Sequence, residues 1–187
     1  RFLAIMARQA DRLEAIIEDL LMLSRLEREG ESDQIEREEM KLLRILESAV
    51  ADCRARADEA EIELVIDCPT NLMAFVNSRL IEQAVVNLVD NAIKYSGRQT
   101  RVELHARQDD EQVIIQVVDH GPGIERKHLA KLFDRFYRID KGRSRMMGGT
   151  GLGLAITRHI ALVHRGSVRV ESVVGQGSTF SILLPAE

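Results

Sequence analysis

Two stretches, Thr100–Val118 and Ser167–Leu184, each read as a pair of strands folded back across a short tip, with helical segments before and between them. In the first, Thr100–Arg107 and Gln112–Val118 alternate apolar and polar residues around the polar tip Gln108-Asp109-Asp110-Glu111. In the second, Ser167–Val174 and Thr179–Leu184 flank the turn Gly175-Gln176-Gly177. Runs of period two bury one face only in a sheet, so an all-helical fold is excluded. Two shorter strands are predicted upstream, Glu61–Cys68, ended by Pro69, and Leu72–Val76. Helical periodicity marks Met40 to Ala57, residues 78–94 behind an Asn77 or Ser78 cap, a short piece near 126–132, and Leu152–His164. Grouped strands without regular βαβ repetition predict an α+β fold, a two-layer sandwich with one mixed sheet and its helices on one face.

A long helix precedes this unit. Phe2, Met6, Leu13, Ile16, Leu20 and Leu23 recur at helical spacing, and Ile5, Ile17, Leu21 and Leu26 widen the stripe. Such a stripe either packs on its own domain or forms half of a helical hairpin. The polar run Glu27–Asp33 favours the hairpin. The expected division is 1–29 for this helix, 30–34 for a linker and 35–187 for the main domain.

Composition narrows the function classes. Lys plus Arg number 26 against 30 Asp plus Glu, a net charge of −4 without a basic block, so no nucleic-acid partner is expected. Cys53 and Cys68 lack metal-site spacing and read as small residues of a reducing compartment. No apolar run is long enough to cross a bilayer, and the expected location of this part is cytoplasmic.

Four clusters carry chemistry. Asn87 and Asn91 are one turn apart on the helix 78–94, either as a satisfied polar pair or as carbonyl oxygens offered to a hard cation such as Mg²⁺. Lys94 and Tyr95 close that helix, with Lys94 within reach of a phosphate. Asp119-His120-Gly121-Pro122-Gly123-Ile124 follows an apolar strand, where an acid accepts from an exocyclic base amine and glycines let backbone approach a flat ring. His120 reads as an exposed loop residue. Gly148-Gly149-Thr150-Gly151-Leu152-Gly153-Leu154 opens a helix, where backbone N–H groups favour phosphate oxygens. This is neither a Walker A loop nor a Rossmann fingerprint. The charged stretch Arg138–Met147 before it suits a lid. In Phe133-Asp-Arg-Phe136-Tyr137-Arg138 the aromatics read as packing, with Arg138 the group for a terminal phosphate.

In this order the clusters resemble the N, G1, F and G2 boxes of bacterial sensor histidine kinases, and Gly175-Gln-Gly177-Ser-Thr179-Phe resembles their last glycine box. The leading helix, ending Asp19-Leu-Leu-Met-Leu-Ser24-Arg-Leu-Glu27, resembles the second helix of that family's dimerisation hairpin. The resemblance implies a Bergerat-type ATP-binding fold. Asn91 would then coordinate Mg²⁺ with Asn87 assisting, and Lys94 and Arg138 would touch phosphates; Asn87, Lys94 and Arg138 form the implied catalytic set. Tyr95 and Tyr137 would line the pocket, and Asp119 would bind the adenine amine. Gly121, Gly123 and Ile124 would shape the base site. Gly149, Thr150, Gly151, Leu152, Gly153 and Leu154 would wrap the phosphates, and Thr179 would sit near the base, with a water. The implied partners are the chain's own dimerisation and phosphoacceptor domain in a homodimer, and a response regulator receiver domain; the full-length protein would be anchored in the inner membrane in many relatives.

Two departures matter. None of His105, His120, His128, His159 or His164 has the family's acceptor context, so the acceptor is expected upstream of Arg1. Asn77 replaces a usual Asp, and both cap well. Two other readings compete. ATP hydrolases of the same fold place a Glu four residues before the metal-binding Asn, where this chain has Asn87, which cannot take a proton. A non-catalytic nucleotide-sensing module would show damaged phosphate groups, whereas Asn91, Lys94, Asp119 and both glycine segments are intact.

Overall fold

A computed structural model describes residues 2–32, 35–109, 111–139 and 149–186. The order is α1 (Phe2–Ser32), β1 (Glu38–Lys41), α2 (Leu42–Glu59), β2 (Glu63–Asp67), β3 (Met73–Val76) and α3 (Ser78–Tyr95). Then follow β4 (Arg101–Gln108), β5 (Gln112–Asp119), α4 (Arg126–Leu129), α5 (Gly153–Val163), β6 (Ser167–Val173) and β7 (Gly177–Pro185). Five strands form a mixed sheet in the order β2-β4-β5-β7-β6, parallel only between β2 and β4.

The alternation of β4, β5 and β7 decides which face is covered. Leu104, Val117 and Phe180 stand side by side in register, as do Ala106, Ile115 and Ile182, and all six are buried. The helices α2, α3 and α5 lie against this face, contributing Leu46, Leu88 and Ile156 among others to a single core. Truncating such a fully buried leucine costs about 2–5 kcal/mol. The opposite face carries Glu103, His105, Gln116 and Arg169. Cys53 lies inside this core, where burial pushes its thiol up to about 11; it is packing, not a nucleophile.

Two expectations change. β1 is an additional strand, pairing antiparallel with β3 in a separate two-stranded sheet, so β3 does not belong to the main one. The supposed linker begins as helix: α1 continues through Gly30 and Glu31 to Ser32, while Asp33 and Gln34 lie outside the described residues. A polar run does not by itself end a helix, and a glycine costs a helix only about 1 kcal/mol. Nor does α1 stand clear of the domain. Leu23 and Leu26 are buried in the common core, and the helix packs along α5. Farther up, Met6, Leu13, Ile17 and Leu21 remain exposed.

Asn77 caps α3 by accepting from the Leu80 N–H at 3.1 Å. Its amide also donates to the Glu36 carbonyl at 3.1 Å, which an aspartate could not do, so the asparagine ties α3 to the segment before β1. The Asn77 backbone N–H donates to Nε2 of the buried His164 at 3.0 Å, while His164 Nδ1 donates to the Ile160 carbonyl at 2.7 Å. Both ring nitrogens are committed and the imidazole is neutral. Burial and the Arg37 charge hold it below its ordinary 6.5, offset in part by the Ile160 bond. The unfolded chain therefore takes up this proton first. The His164 contribution to stability is complete above 6.5 and is lost as pH falls below it. Urea unfolding at about pH 7.5 and about pH 5.5 is expected to show a loss that shrinks in His164→Gln; an equal loss in the variant contradicts this lock.

Candidate nucleotide-binding site

One cleft of about 480 Å³ gathers most of the expected residues. It opens between α3, the turn after β5, the start of α5 and one side of α1. Its α3 wall follows from helical spacing: Asn87, Asn91, Lys94 and Tyr95 fall on successive turns and all face the cleft. Asn87 is already engaged. Its Nδ2 donates to the Gly153 carbonyl at 3.2 Å and its Oδ1 accepts from Gln83 at 3.2 Å, so it fastens α3 to the first residue of α5. Asp90, between the two asparagines, also reaches the cleft and is paired with Arg56 of α2 at 2.7 Å.

The sheet supplies the other wall. Asp119 ends β5 on the covered face, 6% exposed, and its Oδ1 accepts from the Gly121 N–H at 2.8 Å. Burial raises its carboxyl above the usual range, and hydrogen bonds from Gly121 and Ser178 oppose that rise. A nearly buried carboxylate that reaches the cleft beside Ile124 and Phe180 suits a further donor, as a base amine provides. Gly121 lies behind the wall rather than in it. A Cβ there would stand 2.6 Å from the Tyr95 carbonyl oxygen, so this glycine lets the turn close against α3. Gly123, at φ +69°, does line the cleft with Ile124, and a Cβ would lie 2.1 Å from the Val173 carbonyl oxygen.

Thr179 is a correction. In the β5–β7 register Val118 opposes Thr179 and Asp119 opposes Ser178, so Ser178 shares the face of Asp119 and Thr179 points to the other. Ser178 lines the cleft, bonded to Asp119, with its hydroxyl 3.0 Å from that of Ser172. Parity could have found it, since Phe180, Ile182 and Leu184 alternate into the core and Ser178 continues the series. Leu152 is a second correction: it is a fully buried core residue, and its N–H donates to Thr150 Oγ1.

The remaining glycine segment does reach the site. Gly149, Thr150, Gly151, Gly153 and Leu154 line it, and the Phe136 N–H donates to the Gly151 carbonyl at 2.9 Å. That bond brings Tyr137 and Arg138 to the rim. The Tyr137 hydroxyl lies 2.7 Å from His128 Nδ1, and Arg138 Nη2 is buried without a hydrogen-bond partner among the described residues. An orphaned guanidinium nitrogen costs free energy unless an anion meets it. The expected lid beyond Ile139 falls on residues 140–148, outside the described ones. Sequence reasoning also missed Ala15 and Asp19 of α1, which stand in the cleft wall; no local pattern announces a contact made by docking.

Among the described residues no group of three or more His, Cys, Asp or Glu side chains could hold a metal ion. A cation here would draw its other ligands from phosphate and water, which suits Mg²⁺ and the amide oxygen of Asn91. Nor is any described helix long and apolar enough to cross a membrane.

Comparison with known proteins agrees with this geometry. Residues 76–187 match the family described as histidine kinase-, DNA gyrase B- and HSP90-like ATPase. The chain is 39% identical over 185 residues to the sensor-like histidine kinase SenX3 of Mycolicibacterium smegmatis, covering 99% of this chain and 48% of that protein. It is 34% identical over 188 residues to the sensor histidine kinase WalK of Bacillus subtilis, covering 99% of this chain and 30% of that protein. This chain thus spans half or less of these curated relatives. Among solved structures, the Acinetobacter baumannii histidine kinase AdeS superposes with a TM-score of 0.79 at 25% identity, covering 100% of this chain and 84% of that one. The mycobacterial sensor histidine kinase MprB gives 0.71 at 30% identity, covering 79% and 97%.

Proposed function

Given that the chain belongs to the histidine kinase-, DNA gyrase B- and HSP90-like ATPase family and carries the ATP-binding catalytic domain of a sensor histidine kinase, we propose that its cleft holds ATP for transfer of the γ-phosphate to a histidine on a separate dimerisation helix. The observation that carries this reading is the pairing of one buried acceptor, Asp119, with a set of anion-seeking groups, Lys94, Arg138 Nη2 and the glycine segment at the start of α5, in one cavity. The adenine amine would donate to Asp119, with Gly123 and Ile124 against the ring. Phosphates would run toward Lys94, Arg138 and Thr150. Mg²⁺, held by Asn91 and the nucleotide, would neutralise phosphate charge.

Asn87 supports transfer over hydrolysis. It has no basic lone pair, and its amide is bonded to Gly153 and Gln83, so it activates no water. Nor do His120, His128 and His164 suit the acceptor role. His164 is buried and doubly bonded, His128 meets Tyr137, and His120 meets Glu103. The proposed division of labour gives α1 to a dimerising hairpin and residues 35–187 to catalysis, with a response regulator receiver domain as final recipient.

The test is transfer itself. Incubated with ATP, Mg²⁺ and a separately made dimerisation hairpin bearing the acceptor histidine, the chain is expected to yield acid-labile phosphate on the hairpin, and alone to turn over ATP at background. Brisk hydrolysis without transfer overturns the proposal. Asn91→Ala is expected to weaken Mg²⁺-dependent ATP binding about tenfold or more while leaving binding in EDTA nearly unchanged; an equal loss in both conditions contradicts the metal role.

A further inference from the structure

The docked α1 puts a negative charge where the proposed phosphates would lie. Asp19 Oδ2 accepts the Thr150 hydroxyl proton at 2.8 Å. Its carboxylate also feels the Lys94 charge, and Asp19 and Ala15 form part of the cleft wall. The helix is fixed in this position from its other end. Leu23 and Leu26 are buried, Glu27 pairs with Arg135, and Glu27 Oε1 lies 3.5 Å from His159 Nε2. Asp19 is therefore held against Thr150, in the cleft that Lys94 also lines, by a docked helix rather than reaching in on a free side chain. Burial raises its carboxyl above the ordinary range, while the Thr150 bond and Lys94 pull the other way.

We propose that Asp19 is a specificity-determining residue of the nucleotide cleft: with α1 docked, its carboxylate occupies the Thr150–Lys94 corner and disfavours nucleotides in proportion to their phosphate charge. This rests on the reading that the cleft holds an adenine nucleotide with its phosphates toward Lys94. Two anions sharing one cation in a partly dry corner repel, so the triphosphate loses most, the diphosphate less and the nucleoside nothing. Because coupling between sites is reciprocal, ATP in turn weakens the hold of α1. ADP is retained more readily than ATP until α1 leaves, which ties nucleotide choice to the position of the helix.

Calorimetric titration of the chain with adenosine, ADP and ATP in EDTA separates the possibilities. Asp19→Asn keeps an acceptor for Thr150 and removes only the charge. It is expected to tighten ATP about tenfold and ADP about threefold, with adenosine unchanged. Glu27→Gln, which loosens the far anchor, is expected to move ATP in the same direction. Equal ATP affinity in wild type and Asp19→Asn overturns the inference, as does weaker ATP binding in the variant. A uniform change for all three ligands also overturns it, because a structural role would not scale with phosphate number. Failure of adenosine and ADP to bind wild type at all would instead strike the nucleotide reading on which the inference rests.

Discussion

Replacing Asp119 by alanine is expected to weaken ATP binding by about 100-fold or more, roughly 2.7 kcal/mol, while the domain stays folded. The size follows from where the carboxylate sits. It is nearly buried at the end of β5 and held by the Gly121 N–H and by Ser178. Those bonds fix its direction before a ligand arrives, so a base amine meets a preoriented acceptor. Alanine removes the acceptor and leaves the bound amine unpaired beside Ile124 and Phe180, which carries a desolvation cost. Asp119→Asn separates charge from geometry. An asparagine can present its oxygen to the Gly121 N–H or to the amine, but offers fewer lone pairs than a carboxylate, so an intermediate loss is expected. Fluorescent-nucleotide titration with thermal melting of each variant distinguishes lost recognition from lost fold. Unchanged affinity in Asp119→Ala would remove the base site from this cleft.

Gly177→Ala is expected to destabilise the whole domain by about 3–5 kcal/mol, lowering the melting temperature by roughly 6–20 °C. Gly177 sits at φ +109°, a region L-residues rarely adopt, and opens the strand β7 that neighbours β5. A Cβ there would lie 2.0 Å from the Asp119 carbonyl oxygen and 2.9 Å from the His120 Cα. Neither neighbour is a side-chain tip that can swing aside; both are backbone of the turn that aims Asp119. The strain thus enters the sheet and the base site together. Differential scanning calorimetry and nucleotide titration should both respond. By contrast Gly175→Ala, where nothing lies within 4 Å of the added atom, meets no clash and carries only the penalty of its own φ of +83°. Equal melting temperatures for Gly177→Ala and wild type would contradict the close approach.

The layers of this fold were written in two periods that do not interfere. In β4, β5 and β7 alternate residues enter the core, and in α3 Ile81, Val85, Leu88 and Ala92 do so at helical spacing. Where one period ran cleanly, the sequence placed elements within a few residues. β1 escaped because Glu-Glu-Met-Lys has no apolar alternation; its strand state comes from pairing with Met73–Val76. The site was legible to the extent that it is local. Asn87, Asn91 and Lys94 share a helix face by spacing alone, and the Asp119 turn carries its own glycines. Assigning Thr179 rather than Ser178 to the cleft ignored strand parity, a rule the sequence already contained. Leu152 was misread because a residue inside a glycine segment can still turn its side chain to the core. Asp19 and Ala15 belong to a different class of miss. They lie more than a hundred positions before Thr150, and only the docking of α1 on α5 joins them to the cleft.

The central claim is that adenine meets Asp119 while the phosphates lie along Lys94, Arg138 and the start of α5. The most direct measurement is a crystal structure of this chain with Mg²⁺ and a non-hydrolysable ATP analogue. The account predicts the adenine amine within hydrogen-bond distance of the Asp119 carboxylate and a phosphate oxygen on Arg138 Nη2, a nitrogen without a partner among the described residues. An analogue bound outside this cleft, or bound within it with phosphates against Asp119, would contradict it.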